Sequence, residues 1–146
     1  MATPEAGAAT SLDEPVRRAV DASGLIVGVG LDRTLPLVAA PPATLEAVLT
    51  ILLQNSRQAG AGHVTIRATH EGDQVILTLN DDGPGIAAAD RERLFEPFFT
   101  SRRAQGGTGL GLPIARSLLA ASNARIELAD ATAGAAFRIT LPVAEG

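Results

Sequence analysis

The chain has 146 residues, of which 46% are hydrophobic and 19% charged, which fits one domain large enough to bury a single core. It contains no cysteine, which excludes a disulfide framework, an iron–sulfur cluster and a thiol nucleophile. Its 16 acids outnumber 12 basic residues, all of them arginine, and the net charge of −4 argues against a broad nucleic-acid-binding surface.

Met1 to Thr10 is rich in Ala, Thr, Pro and Gly and reads as a loose leader or expression remnant ending near residue 11. It lacks the basic start and apolar centre of a signal peptide, and no later stretch is apolar for long enough to span a bilayer. Ser11 or Asp13 is expected to cap a helix that tolerates Pro15 in its first turn, runs to about Ala22 and stops at Gly24. Leu25 to Leu31 reads as a strand.

Pro41-Pro42 breaks the chain before a long helix, expected from Ala43 to about Ala59, with Leu45, Val48, Leu49, Leu52 and Ala59 at helical spacing. Gly60 and Gly62 stop it. Val64 to Thr69 and Val75 to Leu79 alternate as two strands joined by Glu71-Gly72-Asp73, the second delivering Asp81. A short helix is expected around Ala89 to Leu94, then an aperiodic, lid-like stretch from Glu96 to Gly107. Leu110 to Ala121 reads as a helix, and Arg125 to Ala129 and Ala136 to Leu141 as closing strands.

Four separated motifs carry the chemistry. Asp81-Asp82-Gly83-Pro84-Gly85-Ile86 places a carboxylate at a strand end, where a glycine turn brings bare backbone close to a ligand. Such a carboxylate can accept the amino protons of adenine; Asp-Gly alone also fits an ordinary tight turn. Asn55 lies on the apolar side of the long helix, one turn after Ile51, and its amide oxygen suits Mg²⁺ or a neighbouring backbone group equally.

Gly107, Gly109 and Gly111 alternate as a helix begins, so that backbone N–H groups can face phosphate oxygens. No Gly-Lys-Ser/Thr follows, which excludes a P-loop. Three of the four phenylalanines fall between Phe95 and Phe99, as a lid anchor or a local staple. Arg102 and Arg103 follow, positioned either to meet phosphates or to stand in solvent. His63 and His70 show no zinc or triad spacing.

In this order the motifs resemble the ATP-binding catalytic domain of bacterial sensor histidine kinases, in the wider group of gyrase and heat-shock chaperone ATPases. The likeness runs from about Leu12 to Pro142, and the domain is taken as residues 12–146. Asn55 stands at the second Asn of the N box, Asp81 to Gly85 resembles the first glycine box, and Leu94 to Thr100 the F box. Gly107 to Leu112 resembles the second glycine box and Gly134 to Phe137 the last. The F box points to histidine kinases over anti-sigma serine kinases.

The resemblance implies a two-layer α/β sandwich, a mixed and mostly antiparallel sheet covered on one face by helices, as in the Bergerat-type ATP-binding fold. It implies ATP or ADP with Mg²⁺ as cofactors. Asp81 would take adenine, Asn55 the metal, and Arg102 the place of a phosphate-facing lysine. The remaining nucleotide contacts expected are Gly83, Gly85, Ile86, Phe98, Thr100, Arg103, Gly107, Thr108, Gly109, Leu110, Gly111 and Leu112. No catalytic nucleophile is expected, because phosphoryl transfer rests on positioning and charge neutralisation.

The implied partners are a dimerisation domain carrying the acceptor histidine, within a longer protein, and a response regulator. Nucleic acid and membrane contact are not expected of this fragment, which is expected to be monomeric and cytoplasmic. The sequence departs from the pattern at Ile51, where an Asn or Glu is common, and at Ala135, where a Thr is frequent. Those departures leave open a degenerate module that senses nucleotide or docks a partner without phosphotransfer.

Overall fold

The computed structural model describes residues 8–99, 110–130 and 134–144. Its elements are α1 (Asp13–Ser23), β1 (Ile26–Leu31), α2 (Pro42–Gln58), β2 (His63–Glu71) and β3 (Gln74–Asp81). A 3-10 helix over Ala88–Arg93 follows, then α3 (Gly111–Ala120), β4 (Arg125–Ala129) and β5 (Ala136–Pro142). The strands form one five-stranded sheet in the order β1-β2-β3-β5-β4, parallel only between β1 and β2.

Strand alternation decides which side of the sheet is covered. Val64, Ile66 and Ala68 of β2 are buried while Thr65, Arg67 and Thr69 between them are exposed. Register aligns the buried set across the sheet: Ile66 opposite Leu79, Leu79 opposite Phe137, and Phe137 opposite Leu128. One row along, Ala68, Leu77, Ile139 and Ile126 repeat the arrangement. On α2 the residues Leu45, Val48, Leu49, Leu52 and Leu53 are buried and join the same core as Val16 and Ala19 of α1 and Ala115 and Leu119 of α3.

Local chemistry sets most element ends. Gly24 closes α1 in the left-handed region at φ 70, and α2 starts with Pro42 at its first position, where a missing N–H costs nothing. The expected side-chain cap of α1 is replaced. Leu12 occupies the cap position without a capping bond and is 3% exposed, because burying it in the core outweighs a surface cap; the Ser11 hydroxyl accepts the Asp13 N–H at 3.4 Å and donates to the Asp13 carboxylate at 3.2 Å. Thr10, assigned by composition to the loose leader, exchanges two backbone hydrogen bonds of 2.9 Å with Val38. Among the described residues no helix is long and apolar enough to cross a membrane.

Candidate functional site

The site is built around Asp81, the last residue of β3. Its odd-numbered predecessors Val75, Leu77 and Leu79 all face the core, so alternation carries the carboxylate inward, where it is 4% exposed. Burying a charge is costly unless it is hydrogen-bonded. Three donors meet it: Ser56 Oγ at 2.8 Å on Oδ2, the Gly83 N–H at 3.0 Å and the Ala135 N–H at 3.1 Å, both on Oδ1. A carboxylate offers about four acceptor positions. Oδ2 therefore keeps capacity for one more donor.

Two glycine turns interlock around this residue. Gly134 lies at φ +70, and a Cβ there would stand 1.8 Å from the Asp81 carbonyl oxygen and 2.9 Å from Oδ1. Gly85, at φ +81, comes so close to the second turn that a Cβ would sit 3.0 Å from the Gly134 oxygen. Asp81 donates its own N–H to the Ala135 oxygen at 2.9 Å, which locks the end of β3 to the entry of β5. Ala135 thus contributes through both backbone groups; no side-chain hydroxyl is involved.

Helix α2 supplies the opposite wall. Ser56, 2% exposed, follows Asn55, which is half-buried and whose side chain has no hydrogen-bond partner among the described residues. Of the two partners open to Asn55 in the sequence, a neighbouring backbone group is therefore not taken. One turn earlier, the Ile51 Cγ2 lies 3.1 Å from where a Cβ on Gly111 would be, so the first residue of α3 must be small to pack on α2. Asn55 accordingly lies between Ser56, directed at Asp81, and Ile51, directed at the start of α3.

Asp82 does different work one residue on. It is half-exposed, and its Oδ1 accepts the Gly62 N–H at 2.8 Å and the His63 N–H at 3.0 Å, tying the exit of α2 to the end of β3. These backbone bonds, first that of His63 and then that of Gly62, hold its carboxyl below the usual carboxylate range. A depressed folded value adds stability above the unfolded pKa of about 3.9 and loses it as pH falls through the folded value. Denaturant titration of Asp82→Asn should therefore show a stability deficit near neutrality that closes as pH falls through the lowered folded value of the carboxyl; a deficit constant with pH would contradict the tether.

The aromatic stretch divides. Leu94 is 8% exposed and Phe95 packs against the core, with the Arg116 guanidinium 5.7 Å from its ring. Phe99 carries Arg93 at 4.4 Å. Phe98, grouped in the sequence with this anchor, is instead 66% exposed, at a left-handed φ of 67. Ile86 packs on the core, Leu112 is buried, and Leu110 is 36% exposed beside Gly111. Thr100, Arg102, Arg103, Gly107, Thr108 and Gly109 lie outside the described residues. The sequence reading missed Ser56, although its place on the Leu45, Leu49, Leu52 face marks a buried hydroxyl needing a partner.

Residues 40–145 match the family described as histidine kinase-, DNA gyrase B- and HSP90-like ATPase. The sensor protein kinase PilS of Pseudomonas aeruginosa is 42% identical over 107 residues, covering 68% of this chain and 20% of its own length. The alginate biosynthesis sensor protein KinB of the same species is 32% identical over 112 residues, covering 75% of this chain and 19% of its own. The chain thus spans about a fifth of the length of these relatives.

Solved structures agree. The mycobacterial sensor histidine kinase MprB superposes with a TM-score of 0.79 at 25% identity, covering 96% of this chain and 99% of that one. Full-length ShkA, crystallised in complex with AMPPNP, gives 0.78 at 26% identity over 95% of this chain and 31% of its own.

Proposed function

The chain belongs to the histidine kinase-, DNA gyrase B- and HSP90-like ATPase family as the ATP-binding catalytic domain of a sensor histidine kinase, and we propose that it binds Mg-ATP and presents the γ-phosphate to a histidine on a separate dimerisation domain. The observation that carries this reading is the buried Asp81 carboxylate, held by Ser56, Gly83 and Ala135 with one acceptor position to spare. That spare position is complementary to the N6 amino group of adenine, and the guanine carbonyl oxygen offers it nothing. A Cβ on Gly83 would stand 3.3 Å from the Asp81 Oδ1, and one on Gly85 3.0 Å from the Gly134 oxygen, so the turns around the carboxylate require glycine.

The remaining roles follow the same logic. Gly111 and Leu112 open α3, whose N-terminal N–H groups favour phosphate, with Gly107, Thr108 and Gly109 preceding them in the chain. Arg102 and Arg103 are assigned to the phosphates, and Ile86, Phe98, Thr100 and Leu110 to the walls of the nucleotide site. Asn55 fits a metal because its oxygen is half-buried and not engaged by protein. Magnesium when bound neutralises phosphate charge during transfer. Ile51 offers no oxygen, so Asn55 would be the only α2 ligand of the pair.

Within this reading residues 12–146 form the catalytic domain, the acceptor histidine and a response regulator are supplied by other domains or proteins, and the chain works in the cytoplasm. Calorimetric titration with ATP, with and without Mg²⁺, tests it. One-to-one binding that tightens with Mg²⁺ is expected. Asn55→Ala should weaken Mg-ATP at least about tenfold, a loss of roughly 1.4 kcal/mol, while leaving metal-free ADP nearly unchanged. Absence of nucleotide binding in the folded chain would overturn the reading.

A further inference from the structure

A second surface lies at the opposite edge of the sheet from β1. Strand β4 is hydrogen-bonded to β5 on one side only, and among the described residues no backbone hydrogen bond leaves its other edge. An open edge is a template for another strand. Here it borders a groove of about 490 Å³ whose apolar lining includes Phe95, Ala124, Ile126 and Leu128. Arg91, Arg116 and Arg125 also line it.

The charges of the groove are unevenly satisfied. Glu127 is paired with Arg138 at 3.3 Å, and Arg91 with the fully exposed Asp130 at 3.3 Å, a surface pair of little strength. Arg116 and Arg125 have no carboxylate partner among the described residues, and Glu92 alone opposes them. A second copy of the chain fits poorly. Antiparallel pairing of two β4 strands about Glu127 would set that carboxylate against its own counterpart.

We propose that the β4 edge is a docking site for an extended acidic peptide segment of a partner protein, which adds a strand to the sheet, rests apolar side chains on Phe95 and Leu128 on the helix-covered side, with Arg116 at the margin of that side, and places acids against Arg125 on the exposed face. The alternation of a strand turns its apolar residues to the covered side and its acids to the exposed face that carries Arg125, with backbone bonds giving affinity and side chains giving selectivity. This inference does not rest on the nucleotide site. It survives if ATP binding fails.

The probe is a capped hexapeptide of alternating glutamate and valine, titrated into the isotopically labelled chain while amide shifts are followed. Saturable shifts confined to β4 and its groove are expected. Affinity should fall at least about tenfold in the double variant Arg116→Glu, Arg125→Glu, and for the equivalent lysine–valine peptide, with Arg67→Glu on the remote face of β2 as an unaffected control. Absence of β4 shifts at millimolar peptide, or equal binding of the two peptides, or indifference to the charge reversal, would each overturn the proposal.

Discussion

Asp81→Asn is expected to reduce ATP affinity at least about a hundredfold, roughly 2.7 kcal/mol, while leaving the chain folded. The substitution is almost isosteric, so the argument turns on donors and acceptors alone. The amide oxygen of the variant can stay where Oδ1 accepts the Gly83 and Ala135 N–H groups. Its NH₂ then replaces Oδ2. The Ser56 hydroxyl can rotate to accept from it, which preserves the wall formed by α2. An adenine amino group cannot do the same, because it brings a second donor to a donor. Calorimetry with ATP, alongside a thermal melt, separates the effects; an unchanged melt with full ATP binding would show that adenine is held elsewhere.

Gly134→Ala should destabilise the chain by at least about 3 kcal/mol, a large share of an ordinary domain's stability. A methyl group there would sit 1.8 Å from the Asp81 oxygen, a distance no rotamer relieves because both atoms belong to backbone or Cβ. Something must move. The candidates are the end of β3 and the entry of β5, which share the Asp81 to Ala135 hydrogen bond. Gly60→Ala provides the control, since Gly60 also has a left-handed φ, +82, but nothing within 4 Å of a Cβ. That variant should lose only the conformational term of about 1 kcal/mol. Equal losses in urea titration would mean that backbone strain, not the close approach, fixes Gly134.

The site was legible in the sequence where periodicity and residue type coincide. Alternation along the strand from Val75 through Leu79 carries on to Asp81 and delivers it at the strand end, as expected; the tether that Asp82 makes to Gly62 and His63 came only with the structure. The helix face through Leu45, Leu49 and Leu52 likewise set the packing of α2. What escaped was chemistry carried by backbone and by register. The Ala135 N–H reaches Asp81 only because β5 pairs beside β3, 54 residues away in sequence. The exposure of Phe98, at a left-handed φ of 67, is likewise not encoded in the run of phenylalanines.

Phosphoryl transfer in trans tests the central claim most directly. The chain is mixed with γ-labelled Mg-ATP and with the separately purified dimerisation domain of its parent kinase, and the label is located by acid lability and peptide mapping. Label on the acceptor histidine of that domain, none on this chain, and no transfer by Asp81→Asn is the predicted result. Label on His63 or His70 of this chain, or bound ATP whose phosphate never reaches the acceptor, would contradict it.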